Sequence, residues 1–478
     1  MPSWSHAYEE FAGPLLAGED VPGLAVMLAE GGRPVYFKGF GHRDRARALP
    51  VTEHTLFGIG SITKSFTAVA IMQLQEAGSL RVDDPVSRHI PELRIAGAEG
   101  ASPIRLGHLL AHTSGMPPSP ALNATLVPSL LADPDVPQPV RAALPPPVRT
   151  WDELIAYLNG LGAVPLAEPG RLFSYWNDGW ALLGLVIERL SGESYEAYVE
   201  RHILAPAGMA ESTFDVGPRV DGPDTSRLYN HRKGEDGRDE SYEAGPWWDA
   251  PPMTAAGFLR STPSDMLRYL EIYRTGGQVG EARILSPESV REMTTPRIPC
   301  TAGMAYGYGL MLTEDYHGVH LVEHGGGIKG VSAWVTVVPE RDLTAVGLSN
   351  LTGAPTSVAL MGAVNAALGL EPATPRIAFP PYAASAPLED YAGVYVSGED
   401  ARGEDSSVKV SASGADLVLE ARGERHTLTP ADADGFLLAA HGDRSYVRFL
   451  RGDDGGVWAM TFGYRVVRRA LVPAGAKA

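Results

Sequence analysis

Ser61 and Lys64 stand one helical turn apart in the stretch "FGIGSITKSF". On a helix, residues three apart share a face, so an ammonium or amine at the second reaches a hydroxyl at the first. A serine hydroxyl is a poor nucleophile until a neighbouring base takes its proton, and this pair holds both parts of that arrangement. The spacing alone is weak evidence, because Ser406 and Lys409 repeat it in "SSVK". That second copy falls in a segment that reads as strand, where residues three apart point to opposite faces.

Two further groups carry chemistry. Tyr175 and Asn177 lie in "FSYWNDGWALLG", just before an apolar helical pattern, and His324 is followed by Gly325, Gly326 and Gly327 in "EHGGGIKG", placed just before a strand. Free tyrosine and lysine both titrate near pH 10, so making either basic at pH 7 corresponds to about 4 kcal/mol. A phenolate is stabilised by a nearby ammonium and a neutral lysine is favoured by burial, so the two titrate as a unit and either one can hold the proton. Glycines beside His324 leave room for a substrate to approach the strand, where a side chain at Gly326 or Gly327 would obstruct it.

The elements that must position these groups are legible around them. "GLAVMLAEGGRPVYFKGFGHRD" reads as a hairpin, with Gly31 and Gly32 turning between two apolar runs. From Ser61 the spacing of Phe66, Val69, Ala70, Met72 and Leu74 is that of a buried helix, with Gly78 as its C-terminal cap and Pro85 beyond. Helical patterns recur at "IRLGHLLAHT", "TWDELIAYLNGL", "WALLGLVIERLSG", "YEAYVERHIL", "PSDMLRYLEIYRTG" and "SVALMGAVNAAL", and strand patterns return between Leu321 and Asn350. Strands at both ends with helices between imply an α+β class: one antiparallel sheet flanked by helices, plus an all-helical region.

Met116–Thr150, rich in proline, and Val216–Met253, which holds Trp247 and Trp248, read as long insertions able to cover a cleft. The two tryptophans are candidates for the wall of an apolar pocket. The segmentation expected is residues 1–370 as a catalytic domain, 371–386 as a proline- and alanine-rich linker, and 387–478 as an antiparallel barrel of about eight short strands with no catalytic signature.

The three motifs, in chain order and with segments such as "LLAHTSGM" and "GFLRSTPSDMLRYL", make the chain resemble the serine β-lactamase and penicillin-binding-protein superfamily over Pro22 to Leu368. The likeness is to the branch of class C β-lactamases, D-aminopeptidases and related esterases. It implies that Ser61 forms an acyl-enzyme, that Lys64 and Tyr175 manage its proton, and that Asn177, His324, Gly325 and Gly326 bind substrate. It also implies an oxyanion hole between the N–H groups of Ser61 and Gly327, and a lipocalin-like C-terminal barrel. Many β-lactamases have lysine where this chain has His324, and a neutral imidazole attracts a carboxylate less. Small ester, amide or D-amino-acid peptide hydrolysis is therefore expected ahead of antibiotic hydrolysis; a sensor that acylates without turnover, or a weak β-lactamase, is the alternative. The barrel is expected to mediate homo-oligomerisation or to restrict the cleft to short peptides.

Composition narrows the partners. The 478 residues carry a formal charge of −17 with no strong basic run, which disfavours nucleic acid and anionic lipid. There is no run of about 18 apolar residues to span a membrane and no leader pattern, so a cytoplasmic protein is expected. No cofactor or metal is implied: His108 and His112 have a zinc-like spacing, but no glutamate follows the first and no third ligand is evident. The lone Cys300 reads as a buried structural thiol.

Overall fold

The computed structural model describes residues 2–95, 102–216, 222, 224–234, 239–377, 379, 382, 386–399, 407–414, 416–421, 423–440 and 443–470. Its centre is a nine-stranded antiparallel sheet in the order Ile298–Thr301, Met304–Tyr306, Met311–Tyr316, Val319–Ile328, Val331–Val338, Leu343–Ser349, Gly23–Glu30, Arg33–Asp44, Leu49–Pro50. The hairpin forms as expected: Gly31 and Gly32 both have positive φ, at 55° and 76°, which is what a tight turn between right-twisted strands demands. Leu24 pairs with Ser349, so the first strand joins the last across more than three hundred residues of chain.

Gly23–Glu30 is buried on both faces because helices cover both. Ser5–Gly18 and Thr356–Ala367 pack on one side around Tyr8, Val26, Leu360 and Val364. The other side carries the helical region, built on Thr63–Glu76, Asn177–Ser191 and Pro263–Thr275. Gly78, φ 74°, follows the first of these as the expected left-handed cap.

Both insertions contain more order than their prolines and charges suggest. Met116–Thr150 holds helices at Ala121–Ala132 and Gln138–Ala142, and Val216–Met253 holds a hairpin of Tyr229–Lys233 with Asp239–Glu243. Proline breaks a periodic pattern when read along a sequence, yet it is tolerated in a helix's first turn, where the missing N–H would have no partner. Pro120 precedes one helix and Pro139 lies in the first turn of the other, while Pro128 sits inside the first helix, which continues through it. The strand setting also corrects one boundary: His324 to Gly327 lie inside the strand Val319–Ile328, not ahead of it.

Eight C-terminal strands, from Gly393–Val396 to Arg465–Arg469, close into a barrel when Tyr395 pairs with Arg469. Its interior is filled by Tyr391, Tyr395, Phe436 and Phe449, whose rings meet edge-on or tilted at centroid distances of 4.7 to 5.7 Å. Lys409 lies on one of these strands; Ser406, its partner in the second Ser-x-x-Lys, is outside the described residues. Cys300 is buried and its thiol is pushed up to about 12 by that burial, as befits an inert packing group. No helix among the described residues is long and apolar enough to cross a membrane.

Candidate active site

Ser61 sits in a single 3₁₀ turn, Gly60–Ile62, that runs directly into the helix Thr63–Glu76. The turn is fixed from below. Thr63 Oγ1 donates to the Gly60 carbonyl at 2.7 Å and accepts from the Leu259 N–H at 3.1 Å, while the Ile59 N–H donates to the Leu259 carbonyl at 3.1 Å. Gly60 has φ 50°, and a Cβ there would lie 2.6 Å from the Gly327 nitrogen. Glycine at 60 thus permits both the left-handed backbone and the close approach of the glycine strand.

Lys64 projects from the first turn of that helix and is fully buried. Its Nζ lies 3.0 Å from Ser61 Oγ and 2.5 Å from the Ala256 carbonyl, and 4.8 Å above the Tyr175 ring. The phenol of Tyr175 interacts with the Ser61 hydroxyl. The structure therefore brings Ser61, Lys64 and Tyr175 together. Burial holds the Lys64 amine well below a free lysine's range, and the positive charge of Arg465 lowers it further. Burial drives the Tyr175 phenol the other way, above its ordinary value, partly offset by Ser61 and by Arg465. Both shifts favour the neutral form, an amine beside a protonated phenol.

Asn177 opens the helix Asn177–Ser191, two residues after Tyr175. Its amide makes no hydrogen bond among the described residues, and it is 8 % exposed, so it remains available to a ligand. His324 is placed differently from the expected substrate wall. It is 1 % exposed, its Nε2 accepts from the Tyr306 hydroxyl at 2.9 Å, and its Nδ1–H faces the Gly325 carbonyl at 2.6 Å. Burial pushes it down to about 3, so it is neutral throughout the physiological range. Both nitrogens are taken by the protein.

The three glycines have three different reasons. A side chain at Gly325 would strike the Trp334 ring at 2.5 Å, and one at Gly326 would run into the Ile59 carbonyl behind Ser61. The protein's own packing thus requires glycine at 326. At Gly327 a Cβ would meet only the Val331 carbonyl at 3.8 Å, so nothing in the chain demands glycine there.

His112 has a supporting role. It stacks on Tyr175 with centroids 4.0 Å apart, and its two nitrogens face the Trp176 backbone N–H at 2.9 Å and the Trp180 indole N–H at 3.0 Å. His108 Nδ1 accepts from the Arg105 N–H at 3.1 Å. These are packing imidazoles; a neutral ring accepts at one nitrogen only, so one of the two His112 approaches is a hydrogen bond and the other a packing contact.

The barrel supplies what the sequence did not signal. Its turn Gly463–Tyr464, with φ 55° and 67°, reaches the helical region, where the Tyr464 carbonyl accepts from the Tyr175 N–H at 2.9 Å. Arg465 places its guanidinium 5.0 Å from the Tyr175 ring, held by Glu399 at 2.7 Å, and the Val466 N–H donates to Ser174 Oγ at 3.3 Å. Tyr175 therefore lies between two basic side chains from distant parts of the chain. "FGYRVV" differs in no visible way from other turns in the barrel, and only the docked barrel reveals it.

A β-lactamase family model matches residues 9–369. The chain is 27 % identical over 341 residues to penicillin-binding protein 4 of Amycolatopsis lactamdurans, covering 69 % of this chain and 81 % of that one. It is 26 % identical over 345 residues to penicillin-binding protein 4* of Bacillus subtilis, covering 68 % and 67 %. Among solved structures, the octameric penicillin-binding protein homologue from Pyrococcus abyssi is similar at 29 % identity and TM-score 0.68, covering 97 % of this chain and 100 % of that one. A D-stereospecific amidohydrolase from Streptomyces is similar at 26 % identity and TM-score 0.59, covering 76 % and 98 %. Ser61, Lys64 and Tyr175 meet within the matched segment, and the chain belongs to the β-lactamase family of hydrolases.

Proposed function

We propose that this chain is a serine hydrolase that cleaves small amide, peptide or ester substrates, D-amino-acid derivatives among them, through an acyl-enzyme on Ser61. The observation that carries the reading is the fully buried Lys64 amine 3.0 Å from Ser61 Oγ with the Tyr175 ring stacked above it. In acylation, Ser61 Oγ bonds to the substrate carbonyl carbon as its proton moves to the neutral Lys64 amine. The phenol of Tyr175 passes a proton to the departing nitrogen or oxygen, and the bond to the leaving group breaks. The N–H groups of Ser61 and Gly327 hold the oxyanion, a donor pair of which each member typically contributes about 3 kcal/mol. The Lys64 ammonium then gives its proton to the Tyr175 phenolate, which restores the starting pair. Water attacks the acyl carbon as Lys64 takes its proton, and the bond to Ser61 Oγ breaks as Ser61 is reprotonated and the acid leaves.

The Streptomyces amidohydrolase supports D-configured amides as the first substrates to try. A buried, neutral His324 is a poor anchor for a β-lactam carboxylate, which supports peptidase or esterase chemistry over antibiotic hydrolysis. The barrel turn at Tyr464 and Arg465 stands against the Tyr175 side, where the leaving group must be protonated, and this supports short leaving groups. The octameric relative supports a homo-oligomer, checked by sedimentation of the full chain.

The test is a time course. Fluorophosphonate labelling of Ser61 together with many turnovers of p-nitrophenyl esters or D-alanyl amides is expected, and Ser61→Ala should lose both. A single stoichiometric release that then stops would replace the hydrolase with an acylating sensor. Activity surviving in Ser61→Ala would remove the mechanism.

A further inference from the structure

Trp247 and Trp248 are neighbours in the chain but are held very differently. The Trp248 indole N–H donates to Asp133 at 2.7 Å, and Lys329, itself paired with Asp133 and Asp135, lies 5.6 Å from its ring. The indole N–H of Trp247 makes no hydrogen bond among the described residues. Its ring rests on the Arg260 guanidinium at 4.9 Å, and its Cζ3 lies 3.0 Å from where a Cβ at residue 58 would stand, so glycine at 58 is what lets it settle there. Arg260 is itself buried, tied to the Phe214, Phe258 and Trp248 carbonyls, so it is a fixed seat for the ring. One tryptophan is bolted; the other is held by its face alone.

Beside Trp247 a narrow slot is lined by Gly58, Gly60, Phe258, Arg260 and Ile328, with room for about one water as it stands. Gly60 and Ile328, which line the slot, are the chain neighbours of Ser61 and Gly327, whose N–H groups would receive the substrate oxygen. None of its lining residues belongs to the other side of the site, where Tyr175, His112, Tyr464 and Arg465 meet. In acyl transfer the leaving group must face the proton donor, here Tyr175, and the acyl substituent must then extend away from it.

We propose that this slot is the subsite for the acyl substituent of the substrate and that Trp247 is its size-limiting wall. With Trp247 seated on Arg260, the subsite admits a hydrogen or methyl, the class of glycyl, D-alanyl and acetyl groups; a benzyl or branched substituent has to displace the ring. The inference rests on the acyl-enzyme reading above and names the substrate class for it.

The experiment varies the acyl group at constant leaving group, comparing kcat/KM for p-nitrophenyl phenylacetate and p-nitrophenyl acetate on the same preparation. A ratio taken within one preparation is unaffected by the fraction of folded protein. Wild type should favour acetate, Trp247→Ala should raise the phenylacetate-to-acetate ratio by about tenfold or more, and Trp247→Phe should raise it by less. A change below threefold in both variants, or a fall in the ratio, would overturn the assignment; a fall would make the ring a platform on which large groups stack. If Ser61→Ala still turns over both esters, the acyl-enzyme reading fails; if wild type works through Ser61 and the ratio does not move, this inference fails alone.

Discussion

The helix that carries Lys64 and the barrel turn that carries Arg465 both reach Tyr175, one basic group 4.8 Å from its ring and the other 5.0 Å. They arrive by opposite routes. Lys64 is delivered by local geometry, since one helical turn suffices to set it against Ser61. Arg465 is delivered by the docking of a separately closed sheet, through hydrogen bonds that include the Tyr175 N–H to the Tyr464 carbonyl, the Val466 N–H to Ser174 Oγ and the Asn123 amide to the Glu399 carbonyl. Groups on the same turn are coupled by covalent geometry, whereas groups brought in by docking are coupled only by the contacts between two surfaces. Substitutions in the first region should act on the chemical step, and substitutions in the second on its electrostatic setting.

The largest effect should come from Ser61→Ala, a loss of at least about 10⁴-fold in kcat measured with an activated ester. Next, Gly326→Ala pushes a methyl into the Ile59 carbonyl behind the nucleophile, and a displacement of that turn should lower kcat by about 10²-fold. Gly327→Ala meets no protein atom closer than 3.8 Å and should cost less, so the order of the two variants tests the packing argument directly.

Arg465→Ala probes the docked region. The charge of Arg465 helps hold the Lys64 amine down, and Lys64 must be neutral to act as base. Removing the charge raises the Lys64 value, so the acid limb of the kcat/KM profile should move to higher pH, with the fold unchanged by circular dichroism. An unmoved limb would make Arg465 a mere contact.

The smallest effect on activity, and the clearest on stability, is expected at Asp178. Its buried carboxyl accepts from Ser119 and from the Trp176 indole at 2.7 Å, and burial pushes it up to about 7. In the unfolded chain it titrates near 4, so between about pH 4 and 7 the folded form binds more protons and stability falls as pH rises. The full span corresponds to roughly 4 kcal/mol. Asp178→Asn should flatten this slope in thermal unfolding across that range.

Much of this was legible beforehand because it repeats at short range. The Gly31-Gly32 turn, the helix after Ser61 with its Gly78 cap, and all eight barrel strands follow from periods of two or of 3.6 residues and from where glycine is needed. The helices at Ala121–Ala132 and Gln138–Ala142 were hidden because proline punctuates a pattern without always ending a helix. His324 was expected to face substrate, and its burial follows from Tyr306, eighteen residues away in sequence on another strand of the sheet.

What the sequence determined by itself is the pairing of Ser61 with Lys64, because a hydroxyl and an amine one turn apart are neighbours in any helix that contains them. Tertiary structure decided the burial of that amine, the burial of His324, the seat of Trp247 on Arg260 and the arrival of Arg465 at Tyr175. Each of these depends on desolvation or on contact between residues tens to hundreds of positions apart, and neither quantity is carried by residue type and spacing along the chain.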